Sequence, residues 1–347
     1  MLSTHADVCL SDPAFVMEAL RQHLAEHDVA VTCGQGEVRA VLGGAEATMR
    51  AERSKLVLQA RAPSRSQLEE ATAFFAAHVR EFAHPAVPDI HWAGMEERQL
   101  FADFRELSVL STTDLTPHMR RVTLVGEDLE RFATNENLHV RLYFPKPGTE
   151  PQWPLRGADG LSQPVDPDRS PDMRKYTIRR IDLAAGQVDI DFVLHADAGP
   201  GSAWAERAKA GDRLGMAGPG GRGVKKADWY LLAGDETALP AIARVLEGLP
   251  TDASGRVIIE VESKDDKIEL EHPGGMTIEW LHRSETGSSL DAAVCAVEVP
   301  RYGSRFCWAG AEFETIQHIR RHWRDACSLS KEEQLAVAYW RRGAPDA

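Results

Sequence analysis

The sequence predicts a chain of three parts: a small α+β unit, an antiparallel β-barrel, and an α/β domain built on a parallel sheet. Three observations carry that prediction. Residues 1–94 hold two amphipathic helical patterns around short alternating runs. Runs of five to seven alternating residues separated by turns then follow, as in an antiparallel sheet closed on itself. From Trp229 onward apolar runs alternate with helical periods, the mark of a parallel sheet covered on both faces.

Composition narrows the function. With 347 residues, 43% of them hydrophobic, the chain can fill two or three ordinary domains. A net charge of -13 argues against a general nucleic-acid surface, which needs a basic face to replace counterions. Cys9, Cys33, Cys295, Cys307 and Cys327 lie far apart without a Cys-x-x-Cys pair, so neither a disulfide framework nor a metal or iron–sulfur cage is indicated. There is no basic-then-apolar leader and no apolar run of membrane length. A cytoplasmic protein without membrane insertion is expected.

In the first unit, Asp12-Pro-Ala-Phe-Val-Met-Glu-Ala-Leu reads as a capped amphipathic helix. Glu37–Leu42, 46–52 and 55–60 read as a three-stranded meander. Ser66-Gln-Leu-Glu-Glu begins a long helix with a capping box. His78 and His84 lack the spacing and the carboxylates of a metal site, so they read as surface or packing residues. Pro85, Pro88 and Gly94 mark a boundary.

The runs 104–110, 119–125 and 138–144 are the first barrel strands, and 145–173, rich in Pro, Gly and Asp, is a long loop. It either covers a ligand or is a disordered insertion. Arg174-Lys-Tyr-Thr-Ile-Arg follows. Arg174 can fork onto a phosphate, Tyr176 can cover a flat ring, and the Thr177 hydroxyl can hydrogen-bond a ring nitrogen, a set that suits a flavin. After a second strand ending at His195, the turn Gly199-Pro200-Gly201-Ser202 opens a helix through Trp204 with Ser202 near its N-cap, a ready site for a pyrophosphate. A hairpin followed by an ordinary capped helix is the competing reading.

The third part begins with the strand Trp229–Ala233. Nucleotide binding there rests on the turn Gly234-Asp235-Glu236-Thr237 into a helix, since Gly-x-Gly-x-x-Gly is absent. A cation after the second or third strand would recognise the 2′-phosphate of NADPH. Arg283 is the first choice and Lys264 the second, against the alternative of two solvated cations.

Taken together, Arg174-Lys-Tyr-Thr-Ile-Arg, Asp191-Phe-Val-Leu-His, Gly199-Pro-Gly-Ser-Ala-Trp-Ala, Gly234-Asp-Glu-Thr-Ala-Leu-Pro-Ala and Tyr339-Trp-Arg-Arg-Gly resemble the siderophore-interacting protein family of flavin-dependent ferric-siderophore reductases, relatives of ferredoxin reductase. The resemblance covers roughly residues 97 to 343. It implies an FAD-binding β-barrel domain over 97–222 and an NAD(P)H-binding domain over 227–347, behind a domain of unknown function over 1–94. It puts Arg174, Tyr176 and Thr177 on the flavin, with His195, Gly199, Pro200, Ser202 and Trp204 beside its phosphate or ring; His195 and Trp204 also read as packing residues. Glu312, in Trp308-Ala-Gly-Ala-Glu with the glycine displaced by one place from the family's pattern, falls at the nicotinamide end. Trp340 falls near the flavin, and Arg341 and Arg342 offer charge to an anionic chelate. The implied activity is an oxidoreductase passing electrons from NADPH, or NADH, through FAD to a ferric siderophore. It needs no catalytic acid or base and no resident metal. The rivals are a flavoreductase serving ferredoxin or a quinone, and a non-catalytic flavin-bound siderophore carrier.

Overall fold

The alternating runs near the start fold as a five-stranded antiparallel sheet in a computed structural model, which describes all residues except 27–28, 35, 164–165, 196–198, 286–288 and 344–347. The elements are β1 (Leu2–Cys9), α1 (Pro13–Glu26), β2 (Val31–Gly34), β3 (Glu37–Leu42), β4 (Ala45–Ala51), β5 (Lys55–Ala62) and α2 (Arg65–Phe82), with strand order β1-β5-β4-β3-β2. Both helices cover one face of the sheet, burying Leu20, Leu24, Phe75 and Val79 against Leu56 and Leu58. Each such side chain contributes about 1.5–3 kcal/mol by leaving water. Two strands exceed the expected meander. β1 turns only the small Thr4, Ala6 and Val8 inward, so its sequence carries little apolar signal, yet it pairs with β5 over its whole length. The second helix starts earlier than expected: Ser64, not Ser66, is the N-cap and accepts from the Gln67 N–H, while Ser66 is buried inside the helix.

His78 lies within an aromatic group, 4.1 Å from Phe74 and 4.4 Å from His23 between ring centres, and its Nδ1 sits 2.8 Å from the Phe74 carbonyl. That is a packing role. A short strand, β6 (Gln99–Leu100), ends this region. The chain then builds β7 (Phe104–Thr116), β8 (Met119–Val125) and β9 (His139–Phe144) before entering Lys146–Pro171, which forms one compact unit with Met1–Phe104. There β10 (Leu155–Arg156) pairs with β6. The Trp92 indole donates to the Asp159 carbonyl at 3.0 Å, and Arg80 pairs with the Asp159 carboxylate at 2.9 Å. Arg156, fully buried, ion-pairs at 3.3 Å with Glu69 of α2. The long loop thus has fixed partners in the first unit.

Arg105–Pro145 and Asp172–Ala347 form the second unit. Its barrel is completed by β11 (Asp172–Thr177), β12 (Arg180–Asp182), β13 (Gln187–Val193), α3 (Pro200–Arg207) and β14 (Arg213–Gly220), in the order β11-β9-β14-β7-β8-β13-β12. The Arg179 N–H reaches the Asp189 carbonyl at 2.9 Å and draws the two edges together. Val122, Leu124, Leu142, Ile190 and Phe192 fill the interior.

The remaining elements are β15 (Trp229–Asp235), α4 (Leu239–Gly248), β16 (Ser254–Val261), β17 (Gly275–His282), α5 (Leu290–Cys295), β18 (Arg305–Glu312), α6 (Phe313–Asp325) and β19 (Gln334–Trp340). All five strands are parallel, in the order β17-β16-β15-β18-β19. Ile242 and Leu246 of α4 cover one face, and Val294, Ile319 and Trp323 of α5 and α6 the other, as the alternation required. β19 was not expected; the run Leu335-Ala-Val-Ala is too short to separate strand from loop without the edge of β18 beside it. Among the described residues no helix is long and apolar enough to cross a membrane.

Candidate functional site

On β11, pairing with β9 sets Arg174 opposite Leu142, Tyr176 opposite Val140 and Thr177 opposite His139. Alternation turns Tyr176 inward, its ring 4.5 Å from Phe192 and 5.9 Å from Phe144, and burial raises its phenol pKa far above the ordinary value. The tyrosine hydroxyl touches the first turn of α3: a Cβ on Gly201 would lie 2.1 Å from it. Only glycine permits that approach, so the two halves of the sequence signature meet through Tyr176 and Gly201. Arg174 donates at 2.7 Å to the Met173 carbonyl.

α3 starts from Gly199 as N-cap with Pro200 in its first turn, and among the described residues no side chain caps it. Ser202 is not the cap; it is buried, and its hydroxyl accepts from the His195 N–H at 3.4 Å, fixing the end of the preceding strand. His195 itself is exposed, and residues 196–198 of the signature lie outside the described residues. Trp204, 4% exposed, stacks among Phe144 and Phe192 at 5.5 and 5.8 Å, so it anchors the helix from inside the barrel rather than facing a ligand. The uncapped N–H groups of α3 leave a partial positive charge open to an anion. The Thr177 hydroxyl is buried with no hydrogen-bond partner among the described residues, and it counters the rise of the Tyr339 pKa. A helix terminus that meets this strand, with an under-satisfied hydroxyl and a cation carried on the strand, makes a donor set that fits FAD.

Sequence reasoning missed the pair that ties β9, the neighbour of this strand, to the parallel sheet. His139 Nε2 lies 2.5 Å from the Tyr339 hydroxyl at the end of β19. Burial, with Lys175 and Arg244 adding to it, lowers the His139 pKa to about 4, so the ring is neutral and can accept the phenol proton. Burial also raises the Tyr339 pKa well beyond its ordinary range. Nothing in the spacing of residues 139 and 339 signals the contact; only the two registers create it.

At the carboxyl edge of the parallel sheet, Gly234 lets α4 and β18 converge: a Cβ there would lie 2.5 Å from that of Ala238 and 2.7 Å from the Gly310 carbonyl. Asp235 is buried, accepts from the Thr237 N–H at 2.9 Å and hydroxyl at 2.5 Å, and accepts from the Trp340 indole at 2.7 Å. Desolvation, with Glu236 adding to it, raises its pKa to about 6. Trp340 is thereby held on the turn that follows β15. Glu312 is the N-cap of α6, accepting from the Glu314 N–H at 2.6 Å and the Arg342 N–H at 3.2 Å. The Arg341 guanidinium lies 4.5 Å over the Phe313 ring.

Arg283 departs from expectation. Its guanidinium contacts Glu260 at 3.0 Å, Glu262 at 3.2 Å and Glu236. Burial opposes its charge, but the three carboxylates raise its pKa above the usual arginine value. Lys264 is exposed on a short turn after β16. A cleft beside this edge is lined by Thr116, His118 and Met119 of the barrel and by Glu236, Val261, Glu262 and Asp266. His118 and Asp266 pair across it at 2.9 Å.

A barrel with an anion-ready helix, joined to a parallel sheet whose strand order reverses between β15 and β18, defines a ferredoxin-reductase-like flavoprotein oxidoreductase. The chain belongs to the siderophore-interacting protein family. Residues 227–343 match the family described as siderophore-interacting protein, 108–223 the siderophore-interacting FAD-binding domain, and 5–93 an uncharacterized protein family found in bacteria (DUF2218). It is 35% identical over 236 residues to the ferric vibriobactin reductase ViuB of Vibrio cholerae serotype O1, covering 66% of this chain and 86% of that one. It is 32% identical to the NADPH-dependent ferric-chelate reductase of Escherichia coli K12, covering 68% and 92%. Among solved structures, the siderophore-interacting protein SipS from Aeromonas hydrophila superposes with a TM-score of 0.61 at 33% identity, covering 70% of this chain and 92% of that one.

Proposed function

We propose that this protein reduces the ferric iron of a siderophore, using FAD and a reduced nicotinamide nucleotide as donor. NADPH is the donor in the name of the Escherichia coli relative. One observation carries the reading: the strand bearing Arg174, Tyr176 and Thr177 meets the open end of α3 through Gly201, while its neighbour β9 is bonded through His139 to Tyr339 of the nucleotide domain. The flavin strand and the electron-donor domain are thereby mechanically coupled.

In this reading Arg174 and the α3 N-terminus hold the phosphates, and the Thr177 hydroxyl addresses the ring. The Asp235–Trp340 bond fixes the nucleotide turn, and Arg341 and Arg342 attract the anionic chelate. Bound FAD supplies the conversion of a two-electron donor into single-electron delivery. The substrate iron leaves on reduction because Fe(II) is a weaker partner for hard oxygen donors. Tyr339 keeps its proton and shares it in a hydrogen bond with the neutral His139, so this pair itself adds no buried charge between the barrel and the parallel sheet.

The test is an anaerobic visible spectrum before and after reduced nucleotide, then after a ferric siderophore with a ferrous-specific chelator. Bleaching of the flavin followed by recovery as the ferrous complex appears is the expected result. A flavin that bleaches without ferrous iron appearing points to another acceptor, and one that no nucleotide bleaches points to the carrier reading. A chain that fails to take up FAD sinks the assignment of Arg174 to Thr177.

A further inference from the structure

We propose that the nucleotide site selects NADH over NADPH, through the carboxylates of Glu236, Glu260 and Glu262. The inference rests on the reading of the parallel-sheet domain as the nicotinamide-nucleotide domain.

In a sheet of this topology the ligand lies outside the carboxyl ends of the strands at the point of reversal. An acid near the end of the second strand accepts from the adenosine ribose hydroxyls, whereas a free arginine takes a 2′-phosphate. Here the second strand, β16, ends Glu260-Val261 and is followed by Glu262, and the first turn supplies Glu236. Arg283 follows the third strand, where a phosphate-reading cation belongs, but Nε, Nη1 and Nη2 each contact a different one of these carboxylates. Three negative groups against one positive leave the cluster anionic. A 2′-phosphate would have to displace a carboxylate from the guanidinium and remain beside it. A ribose diol brings donors instead, and the second oxygen of Glu236 is buried with no hydrogen-bond partner among the described residues. Glu260 spends its other oxygen on the Leu290 N–H at 3.1 Å, which holds the cluster in place. Lys264 is exposed and is followed by Asp265 and Asp266, so it does not reverse the sign of the local field. The residues present therefore do not fit the 2′-phosphate of NADPH.

The test is equilibrium binding of two redox-inert probes, ADP-ribose and 2′-phospho-ADP-ribose, to the full FAD-loaded chain by calorimetry. ADP-ribose is expected to bind at least about tenfold tighter, the discrimination that one lost charge-assisted contact produces. In Glu262→Gln, whose side chain is half exposed and tolerates the change, the ratio should shift toward the phosphorylated probe. Arg283→Ala should leave the preference for ADP-ribose in place. Equal or tighter binding of 2′-phospho-ADP-ribose, or its selective loss in Arg283→Ala, overturns the inference. The same samples separate it from the underlying reading: NADPH bleaching the flavin while NADH does not refutes the selectivity and leaves the donor domain standing. If neither probe binds and neither nucleotide bleaches a flavin that dithionite reduces, the donor reading fails and the inference falls with it.

Discussion

The contribution of Asp235 to the stability of the second unit should be larger in mild acid than at neutrality, against the usual trend for carboxylates. Its pKa of about 6 in the fold stands above the ordinary 3.8, because burial outweighs the bonds from Thr237 and Trp340. The native state then binds a proton more readily than the unfolded chain between pH 3.8 and 6, so stability falls as pH rises through that window. Two units of pKa correspond to about 3 kcal/mol in all. Between pH 7 and pH 5, where the native carboxyl is about nine-tenths protonated and the unfolded one under a tenth, the change is about 1.3 kcal/mol. Asp235→Asn removes the titration while keeping the shape. Its amide meets donors from Thr237 and Trp340, but that offset does not vary with pH. Urea unfolding of parent and variant at pH 5 and pH 7, with matched m-values, isolates the term, since every other titrating group is common to both. A gap between the two proteins that stays constant across the two pH values refutes the reasoning.

Tyr339→Phe strands the buried His139 nitrogen and should cost about 1–3 kcal/mol in unfolding free energy. His139 titrates with the opposite sign to Asp235: its pKa of about 4 in the fold lies below 6.5, so the stability it protects is complete above pH 6.5 and is lost as pH falls toward 4. In His139→Gln that loss, up to about 3 kcal/mol, should vanish from the acid limb of a thermal-melt series. Gly201→Ala drives a methyl into the Tyr176 hydroxyl and should cost about 1–3 kcal/mol, with a lowered ratio of flavin to protein absorbance after purification. Arg156→Met leaves the buried Glu69, among the described residues, with Arg65 and the Ala102 N–H as its remaining partners, toward the lower end of the 3–5 kcal/mol expected for a broken buried pair. Limited proteolysis should then cut within Lys146–Pro171; resistance equal to the parent's would count against Arg156 as the anchor of that segment.

Much of this protein was legible from local chemistry alone. Strand and helix periods pointed to the parallel sheet, because its three central strands, β16, β15 and β18, are buried on both faces and read as largely apolar runs. The strand carrying Arg174, Tyr176 and Thr177 was legible as a short alternating run, and the Gly-Pro turn announced a helix, although its N-cap is Gly199 and not the expected Ser202. β1 and β19 were hidden: one buries only small residues, and the other gains its identity from the strand edge beside it.

Tertiary structure decided what no single segment contains. Register on β9 and β19 brings His139 to Tyr339 across 200 positions of sequence, and the close approach at Gly201 joins Tyr176 of β11 to the first turn of α3. The sharpest case is Arg283. As a residue type at the end of the third strand it reads as a phosphate-binding cation, since the sequence records its charge and not its neighbours. Folding sets Glu236, Glu260 and Glu262 around it from the ends of two adjacent strands, and the field at that point takes its sign from the three carboxylates rather than from the arginine. Charge is local to a residue, whereas potential is a sum over everything the fold brings near.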